Sequence, residues 1–122
     1  MKPLPYHYYV PWPPSQNSLW RSWNGRNILS KRGREFYKDA EEKLRAQHPG
    51  PPLDFPVKVT IHLMPPTKRK YDTDNHVKAV FDALVKGGVL KDDNMLHIPH
   101  HEVIHEPDEK IDGVMIDLEK VE

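Results

Sequence analysis

Asp72 and Asp74 stand two residues apart, Lys78 follows four residues later, and Asp92-Asp93 come shortly afterwards. In extended chain, residues i and i+2 point the same way about 6.6 Å apart, so Asp72 and Asp74 would aim both carboxylates at one point. On a helix Lys78 would lie one turn beyond Asp74 along the same face. Converging carboxylates repel one another unless a cation sits between them. Hard oxygen donors select Mg²⁺, with Mn²⁺ as a substitute, and Mg²⁺ commonly shares its shell with a phosphate. Such a centre suits phosphodiester hydrolysis, with Lys78 neutralising charge that builds on the phosphoryl oxygens. The adjacent run Lys68-Arg69-Lys70 could receive phosphates of the same backbone.

Each piece also has a plain structural reading. Asp before a helix is a favoured cap, Asp92-Asp93 alone is an ordinary turn, and three basic residues make a solvated loop. The combination favours chemistry. A second motif competes with it: His101-Glu102-Val103-Ile104-His105 spells the zinc-peptidase H-E-x-x-H. That motif needs a helix, and Pro99 and Pro107 leave too little room for one. In a strand, residues four apart lie about 13 Å apart, beyond joint ligation at about 2.1 Å. The zinc peptidase therefore stands as an unfavoured alternative, and His97 and His100 are expected on a sheet surface.

The elements that must position these residues follow from periodicity and proline. Tyr6–Val10 is a short aromatic and β-branched strand ended by Pro11. Ser30 caps a helix running to Gln47, with Phe36, Ala40 and Leu44 on its inner face. Val57–Met64 alternates strictly, placing Val57, Val59, Ile61 and Leu63 on one face. Val77, Val80, Phe81 and Leu84 mark a second amphipathic helix ended by Gly87-Gly88, with Asp82 on its polar side. Strands are expected at about His97–His105 and Val114–Glu119. The order β-α-β-α-β-β implies an α+β fold with helices on one face of a mixed sheet.

Composition narrows the function. A chain of 122 residues without repeats implies one domain over residues 1–122. Lys+Arg (18) balance Asp+Glu (18), which argues against a purely electrostatic DNA binder and leaves steering to local patches. The absence of cysteine excludes disulfides, Cys-ligated metals and thiol catalysis. With no apolar run long enough to span a bilayer and no signal-like stretch in Met1–His7, a soluble cytoplasmic protein is expected. Trp12, Trp20 and Trp23 interleave with Arg21 and Arg26 and could stack on unpaired bases, although such rings could also fill a dimer interface or cover the sheet, which is the expectation for Trp12 between prolines. Lys31, Arg32 and Arg34 open the first helix as a solvated face that could also meet phosphate.

Taken together these residues resemble the RusA family of Holliday-junction resolvases. The likeness begins at Val10-Pro11-Trp12-Pro13-Pro14-Ser15-Gln16-Asn17. It continues through Asp72-Thr73-Asp74-Asn75 with Lys78 and through Phe81-Asp82-Ala83-Leu84 to Asp92-Asp93. The resemblance implies that Asp72, Asp74 and Asp93 are catalytic metal ligands and Lys78 the essential basic residue. Asp92 is the weaker of its pair, and Asn75 supports the site from behind the ligands. It further implies a homodimer that cuts four-way junction DNA symmetrically in bacterial or phage-infected cells, using Mg²⁺ and no small-molecule cofactor. Lys68, Arg69, Lys70, Arg21 and Arg26 are the candidate DNA contacts. The alternative from another class is a branched-DNA binding module in which the Asp residues serve only as helix caps.

Overall fold

The computed structural model of the chain describes residues 6–121. Residues 1–5, which hold most of the segment expected to lack a signal sequence, lie outside them. Alternating apolar residues build the central strands, because every second side chain of a strand reaches the same face. Strand β4 (Val57–Met64) is the plainest case: Val57, Val59, Ile61 and Leu63 are wholly buried. Strand β6 (Gly113–Lys120) contributes Val114, Ile116 and Leu118 to the same layer, and β1 (Tyr6–Val10) contributes Tyr8 and Val10. With β5 (His100–His105) they form a sheet in the order β1-β6-β4-β5. The first two pairings are antiparallel and β4–β5 is parallel, with Ile61 opposite both Ile116 and Val103.

Two helices cover the buried face. Ser30 caps α2 (Lys31–Gln47), its Oγ accepting from the Gly33 N–H at 3.0 Å, and Phe36, Tyr37, Ala40 and Leu44 turn inward. The second, α3 (Val77–Lys86), buries Val77, Val80, Ala83 and Leu84. All of these belong to one apolar cluster with the sheet. A parallel pair needs a crossover, and α3 supplies it between β4 and β5. The acidic segment therefore falls at the carboxyl end of β4, where open sheets with parallel strands commonly place ligands. Among the described residues no helix is long and apolar enough to cross a membrane.

The expected α+β class and the mixed sheet are present, with several refinements. Between β1 and α2 the chain adds a four-residue helix, α1 (Gln16–Leu19), and an antiparallel hairpin, β2 (Trp20–Trp23) with β3 (Arg26–Leu29). Asn24 and Gly25, both at positive φ (49° and 73°), close it as a tight hairpin turn of the Asn-Gly kind. The strand expected from His97 begins only at His100, because the Asn94 side-chain oxygen accepts from the Leu96 and His97 N–H groups and holds a turn there. Phe81 is half-buried rather than inside, resting against the His101 ring at 5.3 Å.

Candidate active site

The segment after β4 begins with Pro65-Pro66, which cannot extend the ladder, and continues through the exposed residues Thr67 to Lys70. Tyr71 then pins it down. Its ring lies 5.5 Å from Trp12, 5.4 Å from His76 and 5.5 Å from His105. Its hydroxyl meets His105 Nδ1 at 2.7 Å, and the Thr73 hydroxyl meets the other ring nitrogen of His105 at 3.2 Å. Behind it, buried His76 donates from Nδ1 to the Pro13 carbonyl at 3.0 Å. Asp72 is thus set between two residues fastened to the same histidine. The surface beside it is a shallow cleft of about 530 Å³ lined by Lys70, Tyr71, Asp72, Thr73, His105 and Pro107.

Asp72 and Asp74 do not lie in extended chain. Thr73–Asn75 forms a 3₁₀ turn, with the Asn75 N–H donating to the Asp72 carbonyl at 3.1 Å. The expected parallel aim of two side chains in an extended segment is replaced by this turn. Nor are the aspartates caps: Asp72 precedes the turn without a side-chain cap bond, and α3 is preceded by His76, which makes none either. Both carboxylates are exposed, and among the described residues neither has an ion pair.

Lys78, in the first turn of α3, gathers the other acids. Its ammonium donates to Asp82 Oδ1 at 2.9 Å and to Asp93 Oδ2 at 3.4 Å. Tyr37 on α2 donates to the second Asp82 oxygen at 3.2 Å. The hydrogen bond to Asp82, reinforced by the charges of Asp82 and Asp93, raises the Lys78 pKa above its ordinary value against a smaller opposing effect of burial. Burial, helped by the Asp82 charge and hydrogen bond, pushes the Tyr37 phenol up as well, so it remains a donor. The chain after α3 has folded back to bring Asp93 to the helix's first turn. Asp92 serves that turn, accepting from the Asp93 N–H at 2.7 Å and the Asn94 amide at 3.1 Å.

Asp93, Lys78 and Asp82 therefore come together, while Asp72 and Asp74 project from the neighbouring turn. Among the described residues no three His, Asp or Glu side chains stand close enough to hold a metal ion as a ready-made group. The donor chemistry still fits Mg²⁺ or Mn²⁺, since among the described residues Asp72 and Asp74 offer exposed hard oxygens with no competing cation and the Asp93 carboxylate is tied only by the lysine. Half-buried Asn75 lies in the turn between Asp74 and α3.

The basic candidates divide. Lys70 lines the Asp72 cleft, and Arg69 and Lys70 line a smaller one with Trp12 and His76. Lys68 lies 3.7 Å from Asp108 in a solvent-exposed pair, which contributes little. Arg21 and Arg26 lie on the β2–β3 hairpin instead. Trp12 packs 4.6 Å from His76, as a covering residue should. The H-E-x-x-H segment is strand β5, so its histidines cannot share a zinc: His101 meets Phe81, His105 anchors Tyr71, and Glu102 pairs with Lys58 at 3.3 Å. The sequence reading missed Tyr71 and His105 as braces and the partnership of Tyr37 with Asp82. These pairs join segments 34 and 45 residues apart, and no local pattern announces them.

Comparison with known proteins gives the family. The family model described as endodeoxyribonuclease RusA matches residues 11–118. A crossover junction endodeoxyribonuclease of Enterobacteria phage 82 is 38% identical over 88 residues, covering 72% of this chain and 73% of the phage protein. The protein of the same name from Escherichia coli K12 is 36% identical over 88 residues, with the same coverage of each chain. That of Escherichia coli O139:H28 is 34% identical over 91 residues, covering 75% of this chain and 76% of its own. A match running from the proline-rich exit of β1 to Leu118 in β6 leaves one assignment: the chain belongs to the endodeoxyribonuclease RusA family.

Proposed function

We propose that this protein is a crossover junction endodeoxyribonuclease, a phosphodiester hydrolase that resolves four-way DNA junctions in recombination and repair. The observation that carries the reading is the Lys78 ammonium held between Asp82 and Asp93 one turn after the exposed Asp72 and Asp74. Asp72, Asp74 and Asp93 are the residues assigned to hold Mg²⁺, with Mn²⁺ able to substitute; when bound, the ion polarises the scissile phosphate and activates a water.

The chain's own residues do the rest. Lys78, an ordinary lysine cation whose neighbours only raise its pKa further, offers fixed positive charge to the phosphoryl oxygens. Asp82, steadied by Tyr37, would hold the ammonium in place with Asp93 serving as an ion ligand. Asn75 supports the turn, and Asp92 shapes the loop that presents Asp93. Arg69 and Lys70 border the site and, with Lys68 next to them in the chain, receive backbone phosphates. Symmetric cutting of a four-way junction needs two equivalent sites, which a two-fold homodimer provides. The phage and bacterial origin of the relatives supports work on DNA inside bacterial or infected cells. A purely DNA-binding role with capping aspartates is disfavoured by the missing cap bonds.

The test is a synthetic four-way junction incubated with the protein with and without Mg²⁺, the strands resolved on a denaturing gel. Paired nicks that depend on the ion are expected. Binding with no cleavage in either Mg²⁺ or Mn²⁺ would overturn the proposal.

A further inference from the structure

The β2–β3 hairpin takes no part in the site just described, yet it carries the most exposed indoles of the molecule. Trp20 is 42% exposed and Trp23 57%, and every residue from Arg21 to Asn27 is exposed. A two-stranded hairpin is marginal in water by itself and gains nothing from solvated tryptophans. The hairpin is instead secured at its root. The Ser30 N–H donates to the Leu19 carbonyl at 2.8 Å and the Ser30 hydroxyl to the Ser18 carbonyl at 2.5 Å. Helix α2 packs so closely there that a Cβ on Gly33 would stand 2.6 Å from the Leu19 carbonyl oxygen.

Charge distinguishes the same region. The chain is neutral, but its first acidic residue is Glu35; Leu19 to Arg34 holds Arg21, Arg26, Lys31, Arg32 and Arg34 with no Asp or Glu among them. Arg21 and Trp23 project to one side of β2, and Arg26 lies directly across from Trp23. An indole beside arginines that have no ion pair among the described residues suits a base stacked on the ring and phosphates held by the guanidiniums. Position agrees. The hairpin's root at Ser30 lies seven residues, roughly 10 Å along α2, from Tyr37, which bonds Asp82 of the Lys78 cluster.

Resting on the junction-cutting function proposed above, we propose that the hairpin selects the substrate's shape. Trp23 stacks on a base unstacked at a DNA branch point, while Arg21 and Arg26, on the same face of the hairpin, hold the flanking phosphates. A linear duplex keeps its bases stacked on one another and offers these rings no face, so the hairpin favours branched over linear DNA.

The experiment measures binding of full-length wild type, Trp23→Ala and Trp23→Phe to a four-way junction carrying 2-aminopurine at the branch and to a linear duplex of the same sequence. For Trp23→Ala, junction affinity should fall about 5- to 100-fold, duplex affinity stay within about twofold, and the branch-point fluorescence change be lost. Trp23→Phe should recover most of it. Unchanged junction binding, an equal loss on both DNAs, or a lower oligomeric state of Trp23→Ala in sedimentation would each overturn the assignment, the last by giving the hairpin to self-association. The side chain is exposed, so circular dichroism should show the same melting curve for both variants; a large drop would assign the indole to folding and also defeat the proposal. Wild-type cleavage in Mg²⁺, run alongside, separates the two readings. A wild type that cuts junctions while Trp23→Ala discriminates normally sinks only the hairpin's role, whereas a wild type that never cuts sinks the nuclease itself.

Discussion

The acidic turn and the hairpin both carry exposed functional candidates, but they are held in opposite ways. The turn at Thr73–Asn75 is braced from behind by Tyr71, His76, Trp12 and His105, and α3 leaves it directly into the core. The hairpin is fastened only at its root and displays both faces to solvent. The difference matches the work proposed for each. Phosphodiester chemistry needs groups fixed to within about half an ångström, which packed elements supply. Recognition of a deformable DNA branch tolerates a display arm whose side chains adapt.

The contrast can be broken or sharpened, beginning with the largest effect. Asp72→Asn and Asp74→Asn should each lower single-turnover junction cleavage on the order of 10³-fold, while band-shift affinity for the junction stays near wild type. Lys78→Ala should cost about 10²-fold in cleavage with binding retained, since its ammonium is tied to Asp82 and Asp93 within the carboxylate cluster. Loss of binding instead would make Lys78 a docking residue. His105→Ala removes the partner of both Tyr71 and Thr73 and should slow cleavage about tenfold. If it has no effect, the braced turn is no better fixed than the hairpin. Gly33→Ala, by contrast, strikes the hairpin's root and should destabilise the fold by about 1–3 kcal/mol in urea titration, because the backbone oxygen of Leu19 cannot step aside cheaply.

The smallest effect concerns pH. The Lys78 pKa is raised in the folded protein, so its ion pairs contribute fully below the ordinary lysine value of about 10.4 and are lost only as pH rises through the higher folded value. Between pH 7 and 9 the thermal midpoint of wild type relative to Lys78→Ala should not change; a narrowing gap there would mean that the lysine loses its charge early.

Much of the frame could be read from residue order alone. Strict alternation in Val57–Met64 and the i, i+3, i+4, i+7 pattern of α3 follow from burial on one face, which is a local property. The aspartates and Lys78 were visible for the same reason, as types at a spacing. What escaped was whatever depends on distant partners. Tyr71 reads as an incidental aromatic until His105 arrives from another strand, and Asp82 reads as a solvated face until Tyr37 reaches it from α2. The hairpin was missed for another reason: four-residue strands with exposed tryptophans lack the apolar alternation that betrays a strand, although Asn24-Gly25 carried the turn signal. The 3₁₀ turn likewise replaced an extended segment, although Asp72-Thr73-Asp74-Asn75 is built of turn-favouring residues.

The most direct trial of the central claim is the rate at which saturating Asp74→Asn protein cleaves a bound four-way junction in Mg²⁺, compared with wild type under the same conditions. Wild type should introduce paired nicks, and the variant should hold the junction intact over the same period. Cleavage by Asp74→Asn at the wild-type rate would contradict the assignment of the carboxylate turn to the chemistry.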